Sequence, residues 1–198
     1  TEIYTLSLHD ALPIYAGQTF TLRLKIPPGK TLFKDHIYGS ITVNNKEIDD
    51  FIIARSDGTP TYNFTVVVDD HTMGISHVIR GEDHISNTPK QLLIYGALGY
   101  PVPEFAHLPM ILGPDKKRLS KRHGAAGIQE FRDTGYSADA LLNYLVMLGW
   151  NPGTEKELFT REEMVAHFDI RKVQKKGAVY DEKKRSEERR VGKECRSR

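Results

Sequence analysis

The first and last fourteen residues of this 198-residue chain are written in the same DNA, and that bounds what can fold. One permitted back-translation of Glu2 to Ile14 (EIYTLSLHDALPI) has a reverse complement that reads in frame as RSEERRVGKECRS. That is the run from Arg185 to Ser197. Two ends of a packed protein have no reason to be complementary strands of one oligonucleotide, and this one resembles a common sequencing adapter. Residues 1–14 and 185–198 are therefore expected to be adapter-like artefact, which leaves residues 15–184 to fold.

Removing the ends changes what composition says. The whole chain carries a formal charge of +2, to which the head contributes −2 and the tail +3, so the remainder is close to neutral at +1. Global charge thus gives little support for a nucleic-acid partner, and only local patches can supply it. Cys195, the single cysteine, lies in the excluded tail, so neither a disulfide nor a Cys-based zinc site is expected. This fits a reducing compartment. No apolar run approaches the ~20 residues that span a bilayer, and no signal-peptide pattern opens the chain.

Within the remainder, Phe20, Leu22, Leu24 and Ile26 alternate with Thr21, Arg23 and Lys25, which predicts a strand ended by Pro27-Pro28-Gly29. Ile37–Val43 reads as a second strand followed by an Asn44-Asn45 turn, and Phe51–Ala54 as a third. Ser56–Pro60 has the composition of a turn. The β-branched run Tyr62–Val68 predicts a strand buried on both faces and ending at Asp69-Asp70. Ile75–Gly81 predicts another. Thr88-Pro89-Lys90-Gln91 predicts a helix start, with Thr88 as cap, Pro89 at the first helical position and Gln91 closing a capping box; Gly99 follows as its stop. Ser137 is expected to cap a helix over 138–148, and Thr160-Arg161-Glu162-Glu163 to box one running to about His167. Strand, polar loop and capped helix in succession give an α/β class, with a helical C-terminal part.

Two stretches carry chemistry. Lys116 to Arg122 holds five cations in seven residues, bounded by Gly113-Pro114 and Gly124. Such repulsion suits a bound anion, and phosphate is the natural candidate, since Lys offers a mobile charge and Arg a planar fork. A solvated basic loop fits equally well on this run alone. Arg80-Gly81-Glu82-Asp83-His84 lies between a predicted strand and a helix, where α/β sheets bind ligands. A structural salt bridge from Arg80 to Glu82 or Asp83 is the competing reading. Ordinary hydrogen bonding is the competing reading for His77 and the expected one for His84.

The runs RSDGTPTYNFTVVVDDHTMGISHVIRGEDHISNTPKQLLIYGALG (Arg55 to Gly99) and FAHLPMILGPDKKRLSKRHGA (Phe105 to Ala125) resemble the bacterial-type glutamyl-tRNA synthetases, class I enzymes. The likeness covers essentially all of residues 15–184. It implies the C-terminal part of a Rossmann-type catalytic domain (55–125), preceded by part of its connecting insertion on the tRNA acceptor end (15–54) and followed by a helical stem-contact region (126–184). It implies ATP-dependent activation of L-glutamate and transfer to tRNA(Glu), with Mg2+ accompanying the nucleotide and no metal site of the chain's own. Arg118-Leu119-Ser120-Lys121-Arg122 resembles the second class I signature, with Arg118 where the family usually has Lys. The resemblance assigns Lys121 to the transition-state phosphate, Ser120 and Arg118 to the loop around the nucleotide, Arg80 and Tyr62 to glutamate, and Asp83 to the nucleotide.

The first class I signature, a His-Ile-Gly-His-like turn, is absent from the sequence. The chain is therefore expected to be an internal fragment, inactive alone, with predicted strands from Phe51 onward short of their first neighbours. Its parent is expected to be a cytoplasmic monomer with no membrane partner. Two alternatives are a glutamyl-queuosine tRNA(Asp) synthetase, which the helical segment from Ile128 to Lys184 argues against, and a non-catalytic tRNA-binding fragment.

Overall fold

The computed structural model describes residues 20–119, 127–133 and 135–180. Both adapter-like ends lie outside the described residues. The chain divides into two compact units, one ending at His107 and the other beginning at Leu108.

In the first unit, strand β1 (Leu22–Leu24) pairs antiparallel with β4 (Phe51–Ala54). Between them, β2 (Lys30–Asp35) and β3 (Gly39–Asn44) form an antiparallel hairpin. Strand β2 is absent from the sequence expectation, and the reason is physical. Its inward face is Thr31, Phe33 and Asp35, while Leu32 points out at 67 % exposure, so polarity does not follow the pleat. The buried Asn45 compensates for one of these inward polar groups: its Oδ1 accepts from the Thr31 hydroxyl at 2.7 Å and its Nδ2 donates to the Pro27 carbonyl at 2.9 Å.

The hairpin belongs to a four-stranded sheet of order β3-β2-β6-β5, with β5 spanning His77–Gly81 and β6 Glu104–Leu108. Strands β2 and β6 run parallel, with Asp35 opposite Phe105. A strand from the segment expected to be an insertion thus bonds directly to a strand of the expected Rossmann half.

The run from Tyr62 is helix α1 (Tyr62–Thr72), and this corrects the strand expected over Tyr62–Val68 with Asp69-Asp70 at its end. A continuous β-branched run does not distinguish a buried strand from a buried helix. Packing decides here: Phe64 and Val67, three residues apart, face the core beside Leu24, Ile53, Leu93 and Ile94. The helical period also sets Asn63 and Asp70, two turns apart, on one face; a strand would put them on opposite faces.

Helix α2 (Thr88–Leu98) ends as expected at Gly99, whose φ of 67° is left-handed. Its start is a correction. Asn87 occupies the capping position without a side-chain cap bond, Thr88 and Pro89 lie inside the first turn, and the Thr88-to-Gln91 capping box does not form.

The second unit opens with a tight hairpin. Leu119 returns its N–H to the Ile111 carbonyl at 2.9 Å and Gly113 its N–H to Lys117 at 2.7 Å, with Lys116 at φ 59° in the turn. Strand β7 (Ile111–Leu112) pairs in parallel with β8 (Ala178–Val179). Helices α3 (Ile128–Asp133), α4 (Ala138–Met147) and α5 (Arg161–His167) complete the unit. Ser137 caps α4, and the Thr160–Glu163 capping box is present on α5, both as expected. Among the described residues no helix is long and apolar enough to cross a membrane.

Val67 is fully buried. Val67→Ala is expected to cost about 2 kcal/mol as an unfilled cavity, and Val66→Ala less. Urea unfolding of the two variants checks this; the reverse ranking would contradict the helical register.

Candidate active site

The site is organised by a cation that, among the described residues, makes no hydrogen bond to a carboxylate. Arg80, on β5, is half-buried. Its Nε donates to His107 Nε2 at 3.2 Å, and its Nη2 donates to Thr88 Oγ1 and to Gln91 Oε1, each at 2.8 Å. Its guanidinium carbon stands 5.8 Å from the centre of the Phe105 ring. Among the described residues every hydrogen-bond partner of Arg80 is a neutral side chain. The salt bridge to Glu82 or Asp83 weighed above is therefore not how Arg80 is held. Burial lowers its pKa from the ordinary arginine value, opposed by the fields of Tyr62, Asp70, Tyr95 and Asp83.

The neutral acceptors are themselves fixed. Gln91 donates its Nε2 to Asn63 Oδ1 at 3.1 Å, which ties α1 to α2 across the site. His107, fully buried on β6, sets its Nδ1 2.7 Å from Asp35 Oδ2, and its backbone N–H donates to the same oxygen at 3.0 Å. The other Asp35 oxygen accepts the backbone N–H groups of Ile37 and Tyr38 at 2.9 and 2.8 Å. Four donors saturate an ionised carboxylate. With Nδ1–H given to Asp35, Nε2 of a neutral His107 is the acceptor that faces Arg80. Burial lowers the His107 pKa; the hydrogen bond to Asp35 opposes this and the Arg80 charge adds to it.

Around this centre, Asp70 on α1 has its pKa raised by burial, with the Arg80 charge opposing. Tyr95, buried on α2, is pushed up to about 12 by its burial and by Asp70. Tyr62, about half exposed, places its hydroxyl 3.4 Å from His84 Nδ1, and the two rings lie 6.0 Å apart. Asn87 Nδ2 lies 3.3 Å from the same His84 nitrogen, the ordinary bonding expected of that residue. Asp83 is exposed and folds back so far that a Cβ on Gly81 would lie 2.5 Å from its Oδ1. Glycine at 81 is what lets that carboxylate approach. Tyr38 donates to Glu82, and its burial and that carboxylate raise the phenol above its ordinary value.

Of the expected site residues, Arg80, Tyr62 and Asp83 lie together at the end of β5 and the start of α1. Arg118 is exposed on the returning arm of the 111–119 hairpin, opposite Leu112, and Leu119 follows it. Ser120, Lys121 and Arg122 lie outside the described residues. Sequence reasoning missed Asp35, Asn63 and His107 as parts of the site, and read Thr88 and Gln91 as caps. The one available signal was His107 itself, a polar residue inside the apolar run Phe105-Ala106-His107-Leu108.

Elsewhere in the first unit His36, His77 and Glu104 converge, their ligand atoms all within 4.8 Å. His36 Nε2 and Glu104 Oε2 are 2.5 Å apart, within hydrogen-bond distance. Two donors each ~2.0–2.1 Å from a tetrahedral zinc sit wider than that. As arranged, the two groups are hydrogen-bonded.

The chain matches the family model of the catalytic domain of class I tRNA synthetases (E and Q) over residues 9–186, and it belongs to that family. It is 55 % identical over 170 residues to the glutamate--tRNA ligase of Aquifex aeolicus, covering 85 % of this chain and 36 % of that protein. It is 54 % identical over 179 residues to that of Geobacter sulfurreducens, covering 90 % and 38 %. The structure superimposes with a TM-score of 0.80 on the glutamate tRNA ligase of Elizabethkingia meningosepticum, solved in complex with its amino acid. The identity there is 33 %, over 94 % of this chain and 41 % of that one. The fold is that of the class I synthetase catalytic domain, and the chain spans little more than a third of the length of these curated relatives.

Since the fold lowers the His107 pKa, the unfolded chain takes up the extra proton first. Stability is therefore expected to fall as pH drops through about 6.5, the ordinary histidine value, toward the lower folded value. In urea unfolding at pH 7.5 and 5.5, His107→Gln should show a smaller loss between the two than the native chain. An equal loss would mean that His107 does not contribute.

Proposed function

We propose that this chain is the glutamate-selecting and adenylate-stabilising segment of a glutamate--tRNA ligase. The observation that carries the reading is the half-buried Arg80, which among the described residues donates only to neutral acceptors. Asp70 and Asp83 act on Arg80 through their fields without a hydrogen bond to it, so its N–H groups remain open to a ligand carboxylate. The side-chain carboxylate of L-glutamate is such a group, and Tyr62 would offer its hydroxyl beside it. The relatives' shared name, and an amino acid bound to the superimposing ligase, support the same assignment.

In the reaction, the α-carboxylate of glutamate attacks the α-phosphorus of ATP, and pyrophosphate departs with its electron pair. The resulting glutamyl-adenylate is then attacked by a terminal ribose hydroxyl of tRNA(Glu), releasing AMP. Charge builds on the α-phosphoryl oxygens in the first step. Lys121 would meet that charge in the transition state more strongly than in the ground state, which raises rate rather than affinity alone. Ser120 and Arg118 would hold the signature loop about the nucleotide, and Asp83 would lie near it. Mg2+ would arrive with ATP, screening its phosphates. Residues 15–54 would contribute to the acceptor-end surface and 126–184 to the stem contact. The complete ligase, not this chain alone, is the proposed catalyst, because the chain lacks a first signature.

In a full-length ligase carrying this segment, Arg80→Ala is expected to lose two to four decades of glutamate-dependent pyrophosphate exchange. That follows from about 3–5 kcal/mol for removing one partner of a buried ion pair, at ~1.4 kcal/mol per decade. An unchanged rate would refute the assignment. Lys121→Ala is expected to lower kcat by about two to three decades with KM for glutamate little changed, the pattern of a transition-state donor. Equal effects on both constants would instead make Lys121 a ground-state anchor.

A further inference from the structure

We propose that Asp35 and His107 are positioning residues for substrate selection: through one fixed imidazole tautomer they set the plane in which Arg80 presents its guanidinium to the ligand carboxylate. The inference rests on the reading of Arg80 as the carboxylate receptor. It adds two residues, neither of which touches the substrate.

A guanidinium is planar and its five N–H groups point in fixed directions. Rotation about the Cδ–Nε bond is what aims its outer edge. Thr88 and Gln91 take the two N–H groups of one nitrogen, Nη2, which holds one corner of the planar fork. The bond from Nε to His107, at 3.2 Å, is the second anchor; with it, three N–H bonds on two nitrogens hold the plane and resist rotation about the Nη2 corner. Nη1 is then the remaining nitrogen, and among the described residues it makes no hydrogen bond.

The second anchor exists in one tautomer only. If Nε2 carried the proton, an N–H would face the Nε–H of Arg80, donor against donor. Asp35 prevents this by taking the Nδ1 proton at 2.7 Å. Asp35 cannot turn away, because its four acceptor sites are filled from His107 and from the chain at Ile37 and Tyr38. The pair is dry, with Asp35 at 1 % exposure and His107 at 0 %. Strand pairing sets the approach, because Asp35 ends β2 opposite Phe105, two residues before His107 on β6. The same hydrogen-bond relay seen around metal-bound histidines, in which an outer carboxylate fixes the ring, serves here to orient an arginine.

Two measurements test this. In the 198-residue chain with 15N-labelled histidine, long-range proton–nitrogen spectra should show His107 with Nδ1 protonated and Nε2 bare. A charged ring or an Nε2–H tautomer would overturn the inference. In a full-length ligase carrying this segment, His107→Leu should raise KM for glutamate about ten- to a hundredfold, with KM for ATP and kcat moving far less. His107→Gln keeps an acceptor toward Arg80 and should recover most of the loss. Equal rises in both KM values, or no rise, would overturn the inference. If His107→Leu fails to fold, the tautomer and the His107→Gln kinetics decide. Arg80→Ala separates the two levels: unchanged glutamate kinetics there would remove the underlying reading. A defective Arg80→Ala beside a normal His107→Leu would remove only the role of the pair.

Discussion

A half-buried guanidinium hydrogen-bonded to neutral side chains is the constraint on which the first unit depends. Burying a charge is costly unless it is hydrogen-bonded or paired. Here the bonds come from three places in the chain: Thr88 and Gln91 on α2 and His107 on β6, with Asn63 on α1 and Asp35 on β2 holding those acceptors in turn. A change in the register of β2 against β6, or in the phase of α1, would remove a member of the network. The parallel pairing of Asp35 with Phe105 is thus as much part of the site as the side chains themselves.

The cost of serving that cation is visible at the start of α2. Thr88-Pro89-Lys90-Gln91 and Thr160-Arg161-Glu162-Glu163 carry the same capping signature, yet only the second forms the box. At α5 the threonine and glutamate bond the amides at the helix start, and Glu163 meets Lys156 with its other oxygen, so box and ion pair do not compete. At α2 the threonine hydroxyl and the glutamine carbonyl both accept from Arg80. A hydrogen bond from an ionised donor is roughly twice as strong as a neutral one, so the polar groups go to the charge and the helix begins one residue earlier than expected, at Thr88, with Asn87 in the capping position. Pro89 in the first turn eases this, since it has no N–H that needs a cap.

What was legible in the sequence followed from local rules. Gly99, Ser137 and the Thr160 box mark helix ends through their own backbone, and the structure keeps them. What was illegible followed from tertiary exceptions to those rules. Strand β2 hides because Asp35 and Thr31 face inward and Leu32 outward. Helix α1 hides because three consecutive valines carry no period. Arg80 was legible only because it follows a strand and matches the family run, and the residues that hold it were not. Their pattern exists only once β2, β6, α1 and α2 are brought together, from positions as far apart as Asp35 and His107. The middle of the basic loop, from Ser120 to Arg122, lies outside the described residues, so its assignment rests on sequence alone.

The two halves of the proposed chemistry are built on opposite principles. The Arg80 site is rigid: one cation, short neutral bonds, and a dry histidine–carboxylate pair behind it. Such a site discriminates by leaving its charge unsatisfied when the wrong ligand arrives. On the proposed reading, a neutral carboxamide in place of the glutamate carboxylate would occupy the same volume and strand the guanidinium without an anion. A site built around a specific polar partner rejects an analogue lacking it far more strongly than an apolar pocket rejects a change in size. The Lys116–Arg122 run instead places five like charges in a core whose net charge is only +1. On the proposed reading, a bound anion offsets the repulsion among these charges, and a species richer in negative charge than the ground state offsets it more. Rigidity suits the choice of substrate, and mutual repulsion suits a transition state that gathers charge.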